Sequence, residues 1–169
     1  MTIEEAIRSA LEYEHRVRDT YAESAKTVGP PDARRFFEVM VREEQGHIEY
    51  LLDRQREWQE KGVLTAAAPG SALADEGWTR SATEGLSSDA GEDARTSVVE
   101  HLYAALRLEE TVSTHYRALV EAVEHPDAER LFRHFLEIED GHVAVVQTEI
   151  DFQSGTGVFY GMQEFTLDG

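Results

Sequence analysis

Displaced by 95 residues, the chain lies on a copy of itself. Ala10-Leu11 then meets Ala105-Leu106, Glu14 meets Glu109, Val17 meets Val112 and Tyr21 meets Tyr116. Without a gap, Val28 meets Val123, Pro31-Asp32-Ala33 meets Pro126-Asp127-Ala128, Arg35 meets Arg130 and Phe37 meets Phe132. Glu44, Gly46 and His47 fall on Glu139, Gly141 and His142. Between positions 10 and 47, 14 of 38 pairs are identical. Unrelated sequences of ordinary composition would share roughly one residue in fifteen. A chain so repeated builds one supersecondary unit twice.

Each unit reads as a helical hairpin. Ile7, Ala10, Leu11, Glu14, Val17, Tyr21, Ala25 and Val28 recur at the three-to-four spacing of one helix face. Gly29-Pro30-Pro31-Asp32 stops that helix and opens the next, because proline is tolerated in a first turn and not in mid-helix. Ala33, Phe37, Met40, Glu44, His47 and Leu51 form the second stripe. Leu102, Leu106, Glu109, Val112, Tyr116 and Val123 repeat the first stripe; Ala128, Phe132, Phe135, Glu139, His142 and Val146 repeat the second. The expected architecture is all-α: a four-helix bundle over 1–150, with helices near 3–28, 31–61, 92–123 and 126–150. Residues 62–91, rich in Gly, Ala and Ser, form a crossover long enough to run the length of the bundle. Residues 151–169, where glycines alternate with aromatics, read as an extended flap over the bundle or a second subunit.

Glu14, Glu44, Glu109 and Glu139 each lie on an apolar stripe rather than opposite it. An ionised carboxylate buried without a partner is very costly, and four in one core also repel one another. No Lys or Arg occupies the inner positions. The companions are His47 and His142, each three residues after a glutamate, in Glu44-Gln-Gly-His47 and Glu139-Asp-Gly-His142. Three residues bring two side chains to one helix face a turn apart, so each helix can offer an oxygen and a nitrogen to one ion. Two divalent cations would neutralise the four glutamates, and oxygen and nitrogen donors without sulfur suit iron or manganese. Two glutamates plus two Glu-x-x-His pairs is the di-iron carboxylate set of ferritin-like bundles. A lone Glu-x-x-His would be weak evidence; a core histidine is more often a hydrogen-bonded structural residue. Two copies in register outweigh that reading.

Tyr21 and Tyr116, two turns beyond Glu14 and Glu109, are expected either as core aromatics or as hydroxyl donors that orient a ligand carboxylate. His15, His101, His115, His125 and His134 are read as surface residues, and Trp58 and Trp78 as packing residues. Glu43, Glu110 and Glu137 adjoin ligand positions but are expected to point elsewhere, as an acidic path for cations. Gly46 and Gly141 weaken their helices and are expected to admit a closely approaching neighbour.

Composition narrows the alternatives. The 34 acidic against 16 basic residues, a net charge of −18, argue against nucleic acid and anionic membranes as partners. With no cysteine, disulfides, thiolate-held metals and Fe–S clusters are excluded. No apolar run approaches a membrane span, and the acidic-polar beginning is unlike a signal peptide, so a cytoplasmic protein is expected.

In these residues the chain resembles the di-iron domain of rubrerythrins, within the ferritin-like superfamily. The resemblance runs over about residues 3–150 and rests on Ala10-Leu11-Glu12-Tyr13-Glu14 with Tyr21, on Ala105 to Tyr116, and on Glu44-x-x-His47 and Glu139-x-x-His142. It implies two iron ions, with manganese or a mixed pair as the alternative. Glu44 and Glu139 would bridge them; Glu14 with His47 would serve one ion, and Glu109 with His142 the other. The chain departs from the family in two ways. It lacks the cysteines of a rubredoxin domain, which implies a separate electron-donor protein. It carries Val112 where rubrerythrins have an extra glutamate, which implies a more symmetric site. The expected activity is reduction of hydrogen peroxide or dioxygen by a homodimer. The alternatives are a ferroxidase or iron-storage protein of ferritin type, and a non-enzymatic, metal-stabilised sensing or interaction module.

Overall fold

In a computed structural model of the chain, residues 1–71, 73 and 92–154 are described. They form four α-helices: α1 (Ile3–Thr27), α2 (Pro31–Lys61), α3 (Glu92–Ala122) and α4 (Pro126–Ser154). The residues at the helix ends account for them. Thr2 accepts from the Glu5 amide at 3.2 Å while Glu5 accepts from the Thr2 amide at 2.9 Å, a reciprocal cap that satisfies two amides α1 cannot pair internally. Val28 leaves the helix in an extended conformation, and Pro31 opens α2 with its ring where no backbone amide is needed. Gly62, at φ +63°, closes α2 in the left-handed conformation that glycine adopts without strain, and donates to the Trp58 carbonyl at 2.9 Å.

α1 packs along α2 and α3 along α4, and the two hairpins join chiefly through α1 against α3. These are the four-helix bundle and the two hairpins that the repeat implies. The stripes meet in one core: Ile7, Tyr21, Phe37, Met40 and Leu51 with Leu102, Tyr116, Phe132, Phe135 and Val146 are all but fully buried. Each large apolar side chain so buried contributes about 1.5–3 kcal/mol. The repeat extends to packing. Tyr21 lies 6.2 Å from Phe37, and their counterparts Tyr116 and Phe132 are also 6.2 Å apart.

α4 runs to Ser154, four residues into the segment expected to be extended. Its buried side continues through Glu149 and Ile150, and Gln153 donates to Glu149 one turn back at 2.8 Å. The rest of the expected flap, 155–169, lies outside the described residues, as do position 72, residues 74–91 of the crossover and Trp78.

The described part of the crossover folds back along α2. Thr65 bonds Glu57, the Tyr50 hydroxyl donates to the Ala67 carbonyl, and the Leu73 amide donates to Glu43 Oε2 at 3.1 Å. At the same end of the bundle Trp58 donates to Glu4 at 2.7 Å and lies edge-on to His125, the packing role expected of it.

Candidate metal centre

All six expected ligands meet in the middle of the bundle. Glu14, Glu44, His47, Glu109 and Glu139 have no solvent exposure and His142 has 2%. Each helix contributes because its apolar stripe carries a polar residue at the same height. His47 Nδ1 lies 3.3 Å from Glu14 and Glu44 and 3.6 Å from Glu139. His142 Nδ1 lies 3.1 Å from Glu44, 3.4 Å from Glu139 and 3.9 Å from Glu109. Glu44 and Glu139 thus stand between both imidazoles, while Glu14 and Glu109 each approach one. The two rings stack at 5.3 Å, inclined by 10°.

Tyr21 and Tyr116 reach this cluster across the repeat. The Tyr21 hydroxyl donates to Glu109, and the Tyr116 hydroxyl donates to Glu14. Each hairpin therefore supplies the hydroxyl that holds the other hairpin's carboxylate. The contacts match both sequence readings: each tyrosine is buried in the core, and its hydroxyl bonds a carboxylate that it can orient.

The electrostatics are those of a crowded carboxylate site. Burial, reinforced by Glu139, pushes Glu14 up to about 8. Burial and then the charge of Glu44 push Glu109 well above the carboxylate range. Burial alone would make His47 and His142 less basic, but the surrounding glutamates outweigh it and hold both imidazoles well above their ordinary value. Burial would also raise Glu44, but His142 and His47 draw it well below the usual range. Burial and the facing carboxylates make both tyrosine hydroxyls much weaker acids, so they remain donors.

These residues fit a metal. Both carboxylate oxygens of Glu44 and of Glu139, Glu109 Oε2, His47 Nε2 and both ring nitrogens of His142 are buried without a hydrogen-bond partner. Buried polar atoms are rarely left so, and orphaned donors converging on one point are what an ion satisfies. Glu44, His47, Glu139 and His142 present ligand atoms all within 4.8 Å of one another. The donors are oxygen and nitrogen only, the set that iron and manganese accept.

Three expectations need correction. Glu43 does not point away; it is 2% exposed, and its Oε1 lies 3.8 Å from His47 Nε2 and 3.7 Å from His142 Nε2. Its position four residues before His47 was the available signal, since i and i+4 share a face. Burial raises the Glu43 carboxyl, but His142 and Ser71 outweigh it and hold it below the usual range. His101 and His115 are half-buried at the α1–α3 seam, bonded to Ser24 and Ser9 at 3.1 Å, and His115 stacks on Tyr13. Finally, a Cβ added at Gly46 or Gly141 would meet nothing within 4 Å, so among the described residues no neighbour presses against either glycine.

An all-α bundle with a buried glutamate–histidine cluster at its centre defines the class of protein. The family model for the ferritin-like domain matches residues 20–152. The chain belongs to the ferritin-like domain family. Among solved structures it is similar to a ferritin-like, diiron-carboxylate protein from Bacillus anthracis str. Ames, at 17% identity and a TM-score of 0.43, covering 89% of this chain and 99% of that one. No curated protein matches the chain. Among the described residues, no helix is long and apolar enough to cross a membrane.

Proposed function

We propose that the protein is a di-iron carboxylate oxidoreductase of rubrerythrin-like type that reduces hydrogen peroxide or dioxygen. The observation that carries this reading is the set of buried, partnerless oxygen and nitrogen atoms on α2, α3 and α4, which converge with Glu14 of α1 at the middle of the bundle. Glu14 and His47 would hold one ion and Glu109 and His142 the other, with Glu44 and Glu139 shared between them. Bound there, a ferrous pair would supply two electrons to peroxide or dioxygen, one from each ion. The protein's part is to fix the donors and exclude water. Tyr21 and Tyr116 each hold one oxygen of Glu109 and Glu14, leaving the second oxygen of each for an ion. Phe135 packs edge-on to His47 at 5.5 Å and shields one side of the cluster. Electrons return from a separate donor protein, and the expected form is a cytoplasmic homodimer.

The family match favours one second reading, a ferroxidase or iron-storage protein of ferritin type. Stoichiometry separates the two. Anaerobic, ferrous-loaded protein is titrated with peroxide while metal content and absorbance are followed. The oxidoreductase reading expects two irons per chain, about one peroxide consumed per pair and a new near-ultraviolet band. It also expects loss of both irons in the Glu44→Ala, Glu139→Ala variant. Uptake of far more than two irons per chain would favour storage. Two metals untouched by peroxide would favour a metal-stabilised sensing module. No stoichiometric metal would overturn the reading of the site.

A further inference from the structure

The two halves of the centre match residue for residue, with one exception among the described charged groups that touch it. Glu14, Tyr21, Glu44 and His47 have counterparts in Glu109, Tyr116, Glu139 and His142, but Glu43 falls on Ile138. A twofold site thus carries a single buried carboxylate on one side.

Its placement gives it a task. Both imidazoles turn Nδ1 toward the central glutamates, which leaves both Nε2 atoms facing the other way. The rings are nearly parallel, and both Nε2 atoms lie on the side of Glu43. Glu43 Oε1 stands before both, at 3.8 Å and 3.7 Å. Its other oxygen accepts from the Leu73 amide at 3.1 Å, and the Ser71 hydroxyl also bonds this carboxylate. An imidazole that binds metal through one nitrogen ordinarily donates its other N–H to a fixed acceptor, which sets ring angle and tautomer. Here one carboxylate oxygen faces both rings, at separations somewhat longer than a hydrogen bond.

We propose that Glu43 is a shared positioning residue, taking the Nε2–H of His47 and His142 together and fastening both rings to the crossover through Ser71 and Leu73. The proposal rests on the reading of the centre as a metal site and adds what aims its two nitrogen ligands. It also gives the crossover a function, because Ser71 and Leu73 fix the carboxylate that fixes the histidines.

Glu43→Gln keeps the size of the side chain and removes its charge; Glu43→Asp keeps the charge and shortens the reach. Ferrous affinity is measured anaerobically by chelator competition, and the imidazole nitrogen and N–H resonances are recorded in metal-free protein. Glu43→Gln should weaken ferrous binding about 10–100-fold, the usual effect of losing such a partner. Both histidines should change their ring signals together, with helicity unchanged, and Glu43→Asp should recover part of the affinity. Wild-type affinity in the Gln variant, or a response from one histidine alone, would overturn the proposal. If the wild-type chain takes up no iron, the reading of the centre fails. The metal-free resonances then decide Glu43 by themselves: two rings responding retain it as a shared anchor, and one or none removes it.

Discussion

Carboxylates and imidazoles packed without solvent can settle their charge with protons or with metal ions. In the metal-free protein the protons do it, and the consequence for pH has a definite sign. Glu14 moves from an ordinary 4.5 to about 8 on folding, so the fold binds a proton that the unfolded chain has released. Stability from that proton is complete below pH 4.5 and disappears as pH rises through 8. The raised imidazoles act in the same direction, with a window that starts at their ordinary 6.5. Glu44, drawn the other way, changes its contribution only below its ordinary 4.5. Metal-free protein should therefore melt at lower temperature near pH 8 than near pH 5. Metal affinity should rise over the same interval, because ions displace those protons. A melting temperature that rises with pH in the metal-free protein would contradict this account. The tyrosines make a second prediction at this scale. Tyr21→Phe leaves an oxygen of Glu109 without its donor, and Tyr116→Phe does the same to Glu14. Each should cost about 1–3 kcal/mol in denaturant unfolding, and the two values should be similar because the contacts are copies. Unchanged stability in either variant would mean that the hydroxyl does not hold its carboxylate.

Helices show their own weak points. Gly46 and Gly141 lie exposed within α2 and α4, with open space where a Cβ would sit. Gly46→Ala and Gly141→Ala should each stabilise the protein by about 0.5–1 kcal/mol, read as a higher denaturant midpoint at unchanged slope. A loss of stability would reveal a neighbour that presses on these positions. At this scale one can also see what was legible beforehand. The four helices followed from three-to-four periodicity and from Pro31 and Pro126 at their starts, and the cluster from glutamates lying on apolar stripes. For Glu43 the one sign was its position four residues before His47, and the stripe drawn through Glu44 passed beside it. α2 has a second covered side, made by the returning crossover, and periodicity within a hairpin carries no sign of that cover. His101 and His115 were misjudged for a related reason. They fill the seam between the repeats, and their counterparts Ala6 and Thr20 do not repeat the contact.

The whole molecule carries a net charge of −18 over one small bundle. Its exposed ion pairs, such as Arg133–Glu129 at 2.6 Å, contribute little each and leave the excess uncompensated. Raising salt from about 20 mM to about 200 mM shortens the screening length to less than a helix diameter and should raise the melting temperature by a few degrees. An unchanged melting temperature would show that the excess charge is too dispersed to matter. The crossed tyrosines have a consequence for how such a chain can vary. The hydroxyl on one hairpin completes a carboxylate on the other, so neither copy of the repeat can drift independently. A substitution at Tyr21 is felt at Glu109, 88 residues away, and is answered only by a change in the opposite half. The two copies are thereby complements as well as repeats, each closing a bond that the other leaves open.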